Sequence, residues 1–130
     1  MNRAPLAFVF AALSLASTAE DKSPVGTWRG ESKCATEVVA CRDEHIVYYV
    51  SAVPNRLDQL FIRADKIVDG SAITMGTGPW AYDSTRQTLS LDSNGQLWLL
   101  TIRRNHIDGT LTVNGITVFR RIILTLDPRR

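Results

Sequence analysis

The sequence QTLSLDSNGQLWLLTIRRNHIDGTLTVNG, residues 87–115, decides the fold class of this chain. Apolar and polar residues alternate in it through three short runs, and this period of two is typical of a β-strand with one buried face. Asn94-Gly95 and Asn114-Gly115 follow two of the runs, and Asn-Gly is the strongest short signal for a two-residue hairpin turn. The stretch therefore predicts three antiparallel strands joined by tight turns.

The same alternation extends over the preceding and following residues and predicts about eight strands in all. They cover residues 25–33, 44–53, 60–65, 72–82, 87–92, 96–104, 107–113 and 116–126. Gly76, Gly78 and Pro79 interrupt the fourth, where a missing N–H predicts a β-bulge or a break. No segment carries a helical stripe of apolar residues.

Eight successive strands with short connections predict an all-β fold, a small up-and-down antiparallel β-barrel. Closure into a barrel removes the exposed sheet edges that an open meander would leave. The alternative is a β-sandwich or a half-open barrel; a sandwich usually needs long crossover connections, which the sequence does not offer.

The first nineteen residues are predicted to be an export signal, not part of the fold. Arg3 supplies the positive start, an apolar run follows to Ala16, and the small residues Ser17 and Ala19 mark a cleavage site. The apolar run is shorter than the roughly 20 residues that a membrane anchor needs. We therefore expect residues 1–19 to be a signal peptide and residues 20–130 to form a single β-barrel domain, without a membrane anchor.

The charge of the chain excludes some classes of partner. Without Arg3, 14 basic and 13 acidic residues remain, a net charge of +1. This balance gives no electrostatic reason to expect nucleic acid or an anionic membrane as a partner. We expect a monomer.

Cys34 and Cys41 are the two cysteines of the chain. An even count at short spacing in an exported chain predicts a disulfide, because oxidising compartments preserve such bonds. The spacing is not the C-x-x-C of a redox centre. We expect a structural bond and a periplasmic or secreted protein.

Arg120 shares the predicted inner face of the last strand with Ile116, Val118, Ile122 and Leu124. An arginine that points into a core must find hydrogen-bond partners or an aromatic face. If the first and last strands pair, Arg120 is expected to contact the indole of the inward-facing Trp28. Arg120 would then be either a structural cap or a polar group at the bottom of a ligand cavity.

A resemblance to known families rests on these residues. Gly26-Thr27-Trp28 at the first strand and Arg120 on the last resemble the G-x-W motif and closing arginine of lipocalins, which implies a small barrel that carries apolar ligands. A wider pattern resembles small bacterial exported proteins and implies no particular activity; it comprises Gly26-Thr27-Trp28-Arg29-Gly30, Cys34, Cys41, Asp43-Glu44, Ala64 to Val68 and Met75-Gly76.

Signals of catalysis are weak. His45 and His106 are the only histidines, and neither belongs to a cluster or motif that would bind zinc. No nucleophile elbow or phosphate-binding glycine loop is present. We expect no enzyme, no catalytic residue, no metal site and no cofactor.

The sequence therefore predicts an exported binding module that holds a small apolar ligand inside the barrel. The residues expected to line the interior are Trp28, Tyr48, Trp98 and Arg120. The alternative is a protein–protein module, such as an inhibitor of an exported protease or lysozyme, that inserts a loop or residues 20–24 into its partner.

Overall fold

The computed structural model describes residues 23–37 and 40–128, which form eight strands in sequence order. The strands are β1 (Gly26–Cys34), β2 (Glu44–Val53), β3 (Arg56–Val68), β4 (Ser71–Asp83), β5 (Thr88–Ser93), β6 (Gln96–Arg103), β7 (His106–Val113) and β8 (Thr117–Leu126). The predicted signal peptide lies outside the described residues. Within the described ranges, no helix is long and apolar enough to cross a membrane.

Short turns that the sequence specifies locally join most of the strands. Asn94 and Gly95, between β5 and β6, have φ angles of 52° and 80°. Asp69 and Gly70, between β3 and β4, have φ angles of 51° and 81°. Two successive positive φ angles define the type I′ turn, whose twist matches that of the flanking strands. The two-residue turn predicted at Asn94-Gly95 is confirmed. Asn114 and Gly115 also have positive φ angles, but the loop there has three residues, because Val113 pairs with Thr117.

Antiparallel pairing of each strand with the next, and of β1 with β8, closes the sheet into a barrel. The predicted up-and-down barrel is confirmed, and the alternatives, a β-sandwich or a half-open barrel, are wrong. In the closing pair, Trp28 lies opposite Leu126 and Cys34 lies opposite Arg120. These two ends of β1 mark the two ends of the barrel.

The half of the barrel around Trp28, here called the packed half, is filled by side chains. Trp28 is 1% exposed, and its indole Nε1–H donates to the carbonyl oxygen of Pro24 at 2.8 Å. Buried aliphatic residues from other strands pack with it: Val50, Leu60, Leu89, Leu100, Ile102, Ile107 and Leu124. Together they form the hydrophobic core of this half.

Strand β4 departs from regular pairing beside Gly76, the first of the residues that interrupt its sequence pattern. It is continuous, but Ala64 pairs with Gly76 and Asp65 with Thr74, so Met75 is an extra residue. A bulge is therefore present in β4, but at Met75 and not at Pro79, which pairs with Phe61. On its other side, β4 pairs with β5 only from Ala81 to Asp83. The earlier residues of β4 have no strand partner there among the described residues, which leaves a lateral opening between β4 and β5.

Two expectations about the last strand are wrong. Arg120 does not contact Trp28, because the two strands are antiparallel and Arg120 lies six positions before Leu126, the partner of Trp28. At about 3.3 Å per residue, this separates the two by about 20 Å along the barrel wall. Ile116 is 85% exposed and not inward, since it belongs to the turn that precedes β8.

The predicted disulfide is confirmed and ties the loop between β1 and β2 to the end of β1. Cys34 and Cys41 are bonded, with 6.1 Å between their Cα atoms. Asp43 also holds this loop, because its Oδ1 accepts the backbone N–H of Cys34 at 2.8 Å. Disulfides persist in oxidising compartments, so the bond indicates a location outside the cytoplasm.

Candidate functional site

The half of the barrel around Cys34 and Arg120, here called the open half, contains a cavity of about 450 Å³. Inward-facing positions of all eight strands contribute to its wall. Most of the wall is apolar and includes Ile46, Ile62, Leu91, Leu111 and Ile122. Ile46, Ile62 and Ile122 also belong to the hydrophobic core, so the cavity borders the core directly.

Three aromatic side chains form one continuous part of the wall. The rings of Tyr48 and Trp80 meet edge to face with 6.1 Å between their centroids. The rings of Trp80 and Trp98 lie 6.2 Å apart at 56°. Such contacts hold large rings in fixed orientations. The result is a rigid apolar surface suited to an aliphatic or aromatic ligand.

The open half also has a polar rim, formed by Ser32, Glu44, Lys66 and Arg120. Arg120 Nη1 donates to the backbone oxygen and to the Oγ of Ser32, both at 3.2 Å. Glu44 Oε1 lies 3.7 Å from Arg120 Nη1, and its Oε2 lies 3.7 Å from Lys66 Nζ. Ser32, Glu44 and Arg120 line the cavity, and Lys66 reaches it only through Glu44.

Tyr48 links the aromatic wall to the polar rim. Burial raises the pKa of its hydroxyl well above the ordinary value; the nearby charge of Glu44 adds to this effect, and that of Arg120 opposes it. The hydroxyl therefore stays protonated at physiological pH. It can act as a hydrogen-bond donor at the cavity.

The lateral opening between β4 and β5 gives the cavity a path to solvent. Met75 and Ser93 line the cavity from the two sides of this opening, and both are exposed. Pro79 lies on the same edge, where a residue without an N–H costs no ladder hydrogen bond. The local sequence of β4 thus leaves the barrel wall incomplete beside the cavity.

Three of the four residues predicted to line the interior contribute to the cavity: Tyr48, Trp98 and Arg120. Trp28 does not, since it belongs to the packed half. Sequence reasoning missed Trp80, because Gly76, Gly78 and Pro79 interrupt the alternation before it. It also missed Glu44, although Glu44 is in phase with Ile46 and Tyr48 and so faces inward.

The remaining candidate residues lie away from the cavity. His45 and His106 are both exposed. No group of three or more histidine, cysteine or acidic residues in the described part of the chain could hold a metal ion. Pro24 is buried against the barrel, so this end of the segment 20–24 does not project towards a partner.

No protein-family model, curated protein or solved structure matches the chain.

Proposed function

We propose that this protein binds a small apolar ligand in the open half of its barrel and acts as a carrier, not as an enzyme. The observation that supports this proposal best is the cavity of about 450 Å³. Ligand pockets commonly span about 300–1,000 Å³ and combine apolar walls with a few polar groups. An eight-stranded barrel whose interior were filled throughout would give no support to a carrier role.

The disulfide and the closed barrel both support a carrier role. An exported carrier must keep its fold in an oxidising compartment, and the Cys34–Cys41 bond suits a periplasmic or secreted location. A closed barrel whose first strand opens with Gly26-Thr27-Trp28 is compatible with a lipocalin-like carrier. The proposed carrier is a monomer that binds its ligand without a cofactor.

Titration with N-phenyl-1-naphthylamine, a dye that fluoresces in apolar surroundings, tests the proposal. We expect saturable binding of one dye molecule per protein, with quenching of tryptophan fluorescence because Trp80 and Trp98 line the cavity. A fluorescence increase that never saturates, or no increase at all, would refute the carrier role. Unfolded protein in urea is the control for nonspecific binding.

A further inference from the structure

Arg120 is only partly neutralised by the protein around it. Its side chain is 15% exposed, and its polar contacts with Ser32 and Glu44 all involve Nη1. Its guanidinium carbon also lies 5.8 Å from the centroid of the Phe119 ring. A guanidinium has five N–H donors, of which Nη1 carries two. Among the described residues, Nε and Nη2 have no hydrogen-bond partner, which leaves three donors free at the cavity wall.

The charges of the rim leave an excess of one positive charge. Arg120 and Lys66 are cationic and share the single carboxylate of Glu44, at 3.7 Å in each case. Both distances exceed those of a direct charge-assisted hydrogen bond. A cation held against an apolar wall is costly unless it is paired. A ligand with one negative charge would neutralise this excess. A ligand with two negative charges would leave the site negative and would be repelled by Glu44.

The apolar wall lies next to this positive group. Arg120 and Tyr48 line the same cavity as Trp80 and Trp98. A planar fork of N–H donors pairs best with the two oxygens of a carboxylate. The protonated hydroxyl of Tyr48 adds a neutral donor. A ligand that satisfies all these groups has an anionic end and an apolar remainder.

We infer that the cavity selects an amphiphile with one apolar chain and a carboxylate head group, and that Arg120 determines this selectivity. The inference rests on the carrier function proposed above. The head group pairs with the free donors of Arg120, and the chain lies along the aromatic wall. The opening between β4 and β5 gives the chain a path into the barrel that does not disturb strand pairing.

Displacement of N-phenyl-1-naphthylamine by dodecanoic acid and by 1-dodecanol at pH 8 tests the inference. The two compounds share a chain and differ in the charge of the head group. We expect the acid to displace the dye at a concentration about tenfold lower than the alcohol. Equal displacement by both would overturn the inference and leave the carrier role standing, whereas a dye that does not bind would refute the carrier role itself.

Variants of Arg120 test whether this residue causes the preference for the acid over the alcohol. Arg120→Gln is expected to abolish it by weakening the acid and not the alcohol, and Arg120→Lys to retain part of it, since lysine keeps the charge without the fork. Arg121→Gln is the matched control, because Arg121 is exposed on the outer face and should leave the preference intact. A preference that survives in a folded Arg120→Gln protein would contradict the role of Arg120. If that variant does not fold, the comparison of acid with alcohol on the unaltered protein still decides the inference.

Discussion

Trp28→Ala is expected to lower the free energy of unfolding by about 3–5 kcal/mol. The indole is 1% exposed in the packed half, so its removal leaves a void that surrounding strands cannot close. The substitution also leaves the carbonyl oxygen of Pro24 without its 2.8 Å hydrogen bond. Urea denaturation followed by circular dichroism measures the change.

Trp98→Ala is the matched control for this prediction. Trp98 is half-buried and already borders the cavity, so its removal enlarges an existing space and costs less than about 2 kcal/mol. The affinity for the dye should fall in Trp98→Ala and not in Trp28→Ala, since of the two residues only Trp98 lines the cavity. Equal losses of stability for the two variants would contradict the division of the barrel into a packed and an open half.

Ala64→Phe is expected to weaken binding of N-phenyl-1-naphthylamine by about tenfold or more without unfolding the barrel. Ala64 lines the cavity, so the phenyl ring would occupy part of the space that the dye needs. Loss of about 60 Å² of apolar contact at about 25 cal/mol/Å² costs about 1.5 kcal/mol, which is roughly a factor of ten in Kd. Dye titration and thermal unfolding of the same preparation measure both quantities.

Ala81→Phe makes the same substitution on the outer face of the barrel. Ala81 is exposed in β4 and does not line the cavity. The Ala81→Phe protein should bind the dye with the affinity of the unaltered protein. If both phenylalanine variants weakened dye binding equally, or if neither did, the dye would be binding outside the cavity and the assignment of the site would be wrong.

The parts of the structure that could be predicted from the sequence depend on local chemistry. Alternating polarity and turn dipeptides such as Asn94-Gly95 determine the strands and their order, and these follow correctly from residues close together in the chain. The inward direction of Arg120 follows from its phase with Ile122 and Leu124. Glu44 could have been placed inside by the same reasoning, from its phase with Ile46.

The parts that could not be predicted depend on pairing between distant residues. The level of Arg120 relative to Trp28 is set by the register of the closing strand pair, which no local pattern of either strand specifies. The cavity depends on β4 losing its contact with β5 before Ala81. Gly76, Gly78 and Pro79 indicate an irregular strand, but not on which side the barrel opens or how much space remains inside.

A crystal structure of the protein grown with dodecanoic acid that carries bromine on its terminal carbon would show the ligand site directly. Anomalous scattering locates the bromine independently of how the chain is built. We expect one bromine site inside the open half, within contact distance of the ring of Tyr48, Trp80 or Trp98. A bromine found only on the outer surface, or an interior in which side chains fill the space beside these rings, would contradict it.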